Sequence, residues 1–102
     1  NNNLNDIKIF SRYQWYDIGD LSKHIKIIID NKIRCINLVT EPIYTYELIT
    51  EFFPNKLKKC NQDDVGINYD LQTIYNYPFN NSGYYILNKK KILKKIKKFL
   101  NI

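Results

Sequence analysis

Apolar and polar positions change period several times along the 102 residues. In "IKIF" and "RYQWY", between Ile7 and Tyr16, apolar and aromatic residues alternate with polar ones, the period of a half-buried strand. From Ile18 the period lengthens: Leu21, Ile25 and Ile28 recur at helical spacing and Ile18 and Ile29 widen the stripe, which predicts an amphipathic helix over 18–30. Asp17 or Asp20 places a carboxylate at its positive end, and Asn31 supplies a left-handed stop. "IRCINLV" is a short, nearly continuous apolar run and predicts a parallel strand covered on both faces, ended by Glu41-Pro42.

A second helix is expected from Thr45, its cap, through Glu47 in the first turn to Leu48, Ile49, Phe52 and Phe53, with Pro54 as its stop. "KLKKC" reads as a short strand, Asn61 to Asp64 as a turn and "VGINYDL" as a further extended piece. "YNYPFNNSGYY" reads as an aromatic loop turning at Pro78 and at Ser82-Gly83. Asn88 caps a terminal helix whose apolar stripe is Ile92, Leu93, Ile96, Phe99 and Leu100. The order strand, helix, strand, helix, short strands, helix gives an α/β fold: a small lobe with short parallel or mixed strands and three helices. The polar opening "NNNLND" predicts fraying over residues 1–6 and, lacking an initiator Met, is the start expected of a processed or excised chain.

Length and composition narrow the picture. One domain spanning 1–102 fits this length, and 44% apolar with 25% charged residues is a folding composition. Alanine is absent while Ile, Asn, Lys and Tyr abound, the codon bias of an AT-rich genome, so lysine counts alone argue weakly. The net charge of +6 favours an anionic partner, and much of it sits in Lys89, Lys90, Lys91, Lys94, Lys95, Lys97 and Lys98. Such a helix can track nucleic-acid phosphates, dock on an acidic protein or lie on an anionic membrane; it also reads as an ordinary solvated face.

Cys35 and Cys60 lack metal or redox spacing, and no leader or bilayer-length apolar run is present, so a cytoplasmic protein with reduced thiols is expected. Asn80-Asn81-Ser82 matches a glycosylation acceptor that such a location leaves unused. His24 is the sole histidine; no metal set and no nucleophile–base pair is visible around it. Asp17 with Asp20 belongs to a helix start and Asp63 with Asp64 to a turn. Tyr85 and Lys89 have the Tyr-x-x-x-Lys spacing of short-chain dehydrogenases, but a cap at Asn88 puts Tyr85 outside the helix that spacing needs. Gly19, Gly66 and Gly83 form no dinucleotide-binding loop.

The block from Arg12 to Phe53, "RYQWYDIGDLSKHIKIIIDNKIRCINLVTEPIYTYELITEFF", resembles one found in extended short-chain dehydrogenases, the NAD-dependent epimerase/dehydratase family that acts on nucleotide sugars. Asp20, Asn37, Glu41, Pro42, Thr45 and Glu47 stand at the corresponding places, and "NYDLQT" with "GYYILNKKKILKKIKKFL" is similar to the C-terminal end of the bacterial surface-polysaccharide branch. The resemblance implies a C-terminal, substrate-side part of such an enzyme, its partner being a nucleotide-binding half that carries NAD(P) and the catalytic Tyr-Lys pair. It also implies a nucleotide-sugar substrate, no catalytic residue in this chain, and substrate-side positions at Arg12, Tyr13, Gln14 and Glu41. The family's phosphate-binding arginine falls in register with Tyr13, with Arg12 one place away.

Overall fold

A computed structural model describes residues 6–102, so the fraying expected of residues 1–6 falls, apart from Asp6, outside the described residues. In chain order the described residues form β1 (Arg12–Tyr13), α1 (Leu21–Asp30), β2 (Ile43–Tyr44), α2 (Thr45–Phe52) and α3 (Lys89–Leu100), with three 3-10 turns between them. They divide into two compact units, each drawn from separate stretches of chain: residues up to Tyr13 with Pro42–Asp70, and Gln14–Glu41 with Leu71–Ile102.

The class is mixed α/β, but the parallel strands of the sequence reading are replaced by an antiparallel pair, Arg12 opposite Tyr44 and Tyr13 opposite Ile43. Among the described residues parallel pairing is confined to single bridges, Lys8 with Asn61 and Arg12 with Asn68.

The first unit is stitched together at Ser11, which is buried. Its carbonyl accepts the Thr45 N–H at 2.8 Å and the Thr45 hydroxyl at 3.1 Å, and its own hydroxyl accepts the Ile67 N–H at 3.1 Å. Gly66, at φ +79°, passes so close that a Cβ there would stand 2.7 Å from the Ser11 nitrogen, and only glycine fits both the dihedral and the space. With its hydroxyl bonded to Ser11, Thr45 is the first helical residue of α2 rather than its cap. Tyr44 occupies the cap position, and Glu47 Oε1 accepts the Tyr44 N–H at 3.1 Å, the backward half of a capping box.

After Phe52, Pro54 opens a 3-10 segment, Pro54–Lys59, in place of the strand expected at "KLKKC". Proline fixes a helix-like dihedral at its start, and Lys56 N–H to Phe53 O and Cys60 N–H to Leu57 O close the tight turns. Asn61 Oδ1 accepts the N–H groups of Asp63 and Asp64, forming the expected turn. Ile67 to Tyr69 then run beside Arg12 through backbone bonds of 2.7 and 2.9 Å.

In the second unit Asp17 accepts the Gly19 N–H at 3.0 Å and caps a 3-10 turn, Ile18–Asp20, that leads into α1. The left-handed residue at the far end is Lys32, at φ +54°, not Asn31 at φ −96°. Lys32 N–H bonds Ile29 O and Ile33 N–H bonds Ile28 O, a Schellman closure, while Asn31 donates its side-chain amide to Ile27 O at 2.8 Å.

The strand expected at "IRCINLV" does not form. Val39 N–H turns back to Asn37 O at 3.0 Å, closing a three-residue turn in the middle of the run. Beyond it, Ile86 N–H bonds Val39 O and Glu41 N–H bonds Leu87 O, so one side advances two residues while the other advances one and no ladder is established.

His24, Thr40, Thr73, Ile86 and Ile92 are the buried residues of this unit. On α1 the buried side is centred on His24, with Leu21 and Ile28 half-buried, whereas Ile18, Ile25 and Ile29 remain 73%, 45% and 68% exposed. α3 is capped as its sequence predicts, Asn88 Oδ1 accepting the Lys91 N–H at 2.9 Å, and buries Ile92. Phe99, expected in its buried stripe, is 86% exposed. No helix among the described residues is long and apolar enough to cross a membrane.

Candidate functional site

Of the four substrate-side positions, Arg12 and Tyr13 belong to the first unit and Gln14 and Glu41 to the second. Arg12 sits on β1, where its Nε donates to Asn68 Oδ1 at 2.6 Å, its Nη2 lies 3.5 Å from Asp70 Oδ2, and its guanidinium rests 5.4 Å above the Tyr44 ring. Tyr44 stacks on Tyr46 at 5.2 Å, Phe10 meets Tyr46 edge-on, and the Tyr13 and Tyr69 rings are 5.8 Å apart. An anion approaching Arg12 competes with Asp70 for the same charge.

Gln14 is committed to the backbone. Its Nε2 donates to Thr40 O at 2.9 Å and Leu71 O at 2.6 Å, and its Oε1 accepts the Leu71 N–H at 2.8 Å, so the amide acts like a peptide unit inserted between two stretches of chain. Glu41 is committed too: Oε1 accepts the Lys89 N–H at 2.7 Å, placing the carboxylate at the positive end of α3. Both residues help hold the second unit together, with the Gln14 amide and Glu41 Oε1 bonded within it.

The densest set of titratable groups lies elsewhere in the second unit. The Tyr16 hydroxyl is 2.6 Å from Nδ1 of the buried His24, whose ring also meets the Tyr16 ring and, edge-on, Phe79. Lys95 Nζ reaches across from α3 to Asp20 Oδ2 at 2.8 Å and Asp17 Oδ2 at 3.4 Å. Desolvation holds the His24 pKa below its ordinary 6.5, outweighing the pull of Asp20, and desolvation likewise pushes the Tyr16 phenol above 10.0. The hydrogen bond between Lys95 and Asp20 lowers the pKa of the carboxyl and raises that of the ammonium. At neutral pH the cluster is therefore a neutral imidazole and phenol beside an ionised Asp–Lys pair. It can share a proton between Tyr16 and His24, and its acidic members are neutralised by lysine.

Sequence periodicity marks His24 as a border residue of the helix stripe. Nothing in it pairs His24 with Tyr16, eight residues earlier and outside the helix, or Lys95 with carboxylates some seventy-five residues away. In the first unit, Ile7, Ile49, Phe53, Lys56 and Cys60 line an open apolar depression of about 150 Å³, well below the usual volume of a small-molecule pocket. Among the described residues no group of three His, Cys, Asp or Glu side chains could hold a metal ion. No protein-family model, curated protein or solved structure matches this chain.

Proposed function

We propose that this chain is the substrate-side C-terminal part of a nucleotide-sugar-modifying, NAD(P)-dependent epimerase, dehydratase or reductase, inactive until joined to a nucleotide-binding half. The observation that carries this reading is the set of isoleucines Ile25 and Ile29 on α1 and Ile18 in the turn leading into it, exposed although the helix is anchored through His24. A second body covering these side chains accounts for their exposure, and a nucleotide-binding domain is the body that the Arg12–Phe53 resemblance implies. Gly19, Gly66 and Gly83 build no dinucleotide loop, so NAD(P) binds to the other half and supplies hydride chemistry there.

Within this reading Gln14 and Glu41 position the lobe's backbone and cap its last helix, leaving Arg12 and Tyr13 on β1 as the residues that would face substrate. An antibody against the chain tests the proposal by the mass of the species it detects in native cells. A polypeptide much larger than 12.3 kDa that also retains NAD(P) on purification is expected. A species of 12.3 kDa, or a larger one with no affinity for NAD(P) or a nucleotide sugar, overturns it.

A further inference from the structure

The charge of the molecule is concentrated on α3. The chain has sixteen basic and ten acidic residues; α3 contains seven of the basic ones and no acid, so the remainder holds nine against ten and is close to neutral. A codon bias toward lysine raises lysine everywhere, yet outside α3 the excess is cancelled.

Within α3, Lys95 is taken by Asp17 and Asp20. Lys90, Lys91, Lys94, Lys97 and Lys98 are exposed and, among the described residues, form no ion pair. At about 3.6 residues per turn they fall on the half of the helix opposite Ile92, Leu93 and Ile96, which are buried or half-buried. At the carboxyl end the helix carries an exposed apolar element beside this face: Phe99, 86% exposed, lies on the Ile92 side about a quarter-turn round from Lys98, and Ile102, just past the helix, is 63% exposed.

We infer that α3 docks on an anionic lipid surface, its exposed lysine face against the headgroups and the apolar end beside that face, Phe99 with Ile102, seated at the acyl-chain boundary. Two features favour lipid over nucleic acid, and the number of lysines makes the attraction sufficient. The cations are all ammonium groups, with no arginine on the helix to fork a phosphate. The exposed apolar residues sit together at one end of the helix, beside the basic face rather than interleaved with it as a base-stacking platform requires. Membrane attraction grows by roughly one kilocalorie per mole for each lysine near an anionic surface, so a five-lysine face suffices for reversible docking without a spanning helix. The surface stands whether or not the chain joins a nucleotide-binding half.

Co-sedimentation of the purified protein with phosphatidylglycerol-containing vesicles, and with phosphatidylcholine vesicles alone, tests it. Binding to the anionic vesicles alone, weakened by salt, is expected. The triple variant K94Q/K97Q/K98Q lowers the partition coefficient on the order of a hundredfold with an unchanged helical spectrum, since these side chains are exposed. Phe99→Ser lowers it several-fold while leaving the salt dependence in place. Equal binding to both vesicle types, binding to neither, or binding to a single-stranded oligonucleotide with none to anionic vesicles would overturn the assignment.

Discussion

Tyr16 and His24 show what single residues contribute here, because the Nδ1 of the buried His24 is met by the hydroxyl of the half-buried Tyr16. Replacing Tyr16 by Phe keeps the ring against His24 and removes the hydroxyl, so the imidazole Nδ1 is left without that partner. A loss of about 1–3 kcal/mol in urea unfolding is expected, the cost of an unsatisfied buried group. The same pair sets part of the acid limb of stability. Since desolvation depresses the His24 pKa, the unfolded chain takes up this proton more readily, and stability falls as the pH drops below 6.5 until the folded value is passed. Asp20, also depressed, adds a second decline below 3.8, lost as its folded pKa is reached. Unfolding midpoints between pH 8 and 5, at about 25 °C, check the first step; His24→Phe is expected to flatten it. The helix stripe locates His24 in the sequence. Its environment is not legible there, because burial comes from Phe79 and Tyr16, which lie outside that helix.

At the level of elements, the start of α3 shows why some of this fold can be read from sequence and some cannot. Asn88 caps Lys91 from three residues away, a local pattern, and the helix forms where it is expected. Glu41 bonds the Lys89 N–H across a separation of 48 residues, and no local pattern announces that. Two side chains thus satisfy two of the four N–H groups that a helix start leaves open. Asn88→Ala is expected to cost about 1 kcal/mol. Glu41→Gln keeps an acceptor and loses the charge facing the helix dipole, about 0.3–1 kcal/mol, so Glu41→Ala is expected to cost more than Glu41→Gln. Thermal melts of the three variants rank them. The strands follow the same division: β propensity was legible in "RYQWY" and "INLV", but pairing depends on partners. Residues 12–13 found theirs at 43–44, while the turn at Asn37–Val39 left 33–39 without a ladder.

For the whole molecule the decisive quantity is the balance of apolar surface. Among the described residues the buried hydrophobic side chains are Ile9, Ile43, Cys60, Ile86 and Ile92, while seventeen large hydrophobic ones are exposed, including Ile25 and Ile29 on α1 and Ile18 in the turn before it. Single exposed apolar residues are ordinary, but exposed isoleucines recurring at helical spacing from the turn before α1 along the helix fit a covered surface in a larger assembly. The isolated chain is therefore expected to bind a hydrophobic dye and to associate as its concentration rises. I25K/I29K changes two exposed positions and is expected to reduce both effects while shifting the isolated chain's melting point little, because surface substitutions usually change stability by no more than about 0.5 kcal/mol. In the longer polypeptide of the proposed function the same pair would bury two ammonium groups against the nucleotide-binding half and lower its melting point sharply. Sedimentation velocity, dye fluorescence and thermal melts on both forms separate the cases. A longer polypeptide whose melting point ignores I25K/I29K would leave these isoleucines solvent-facing in the assembled protein, and the interface on α1 would have to be abandoned.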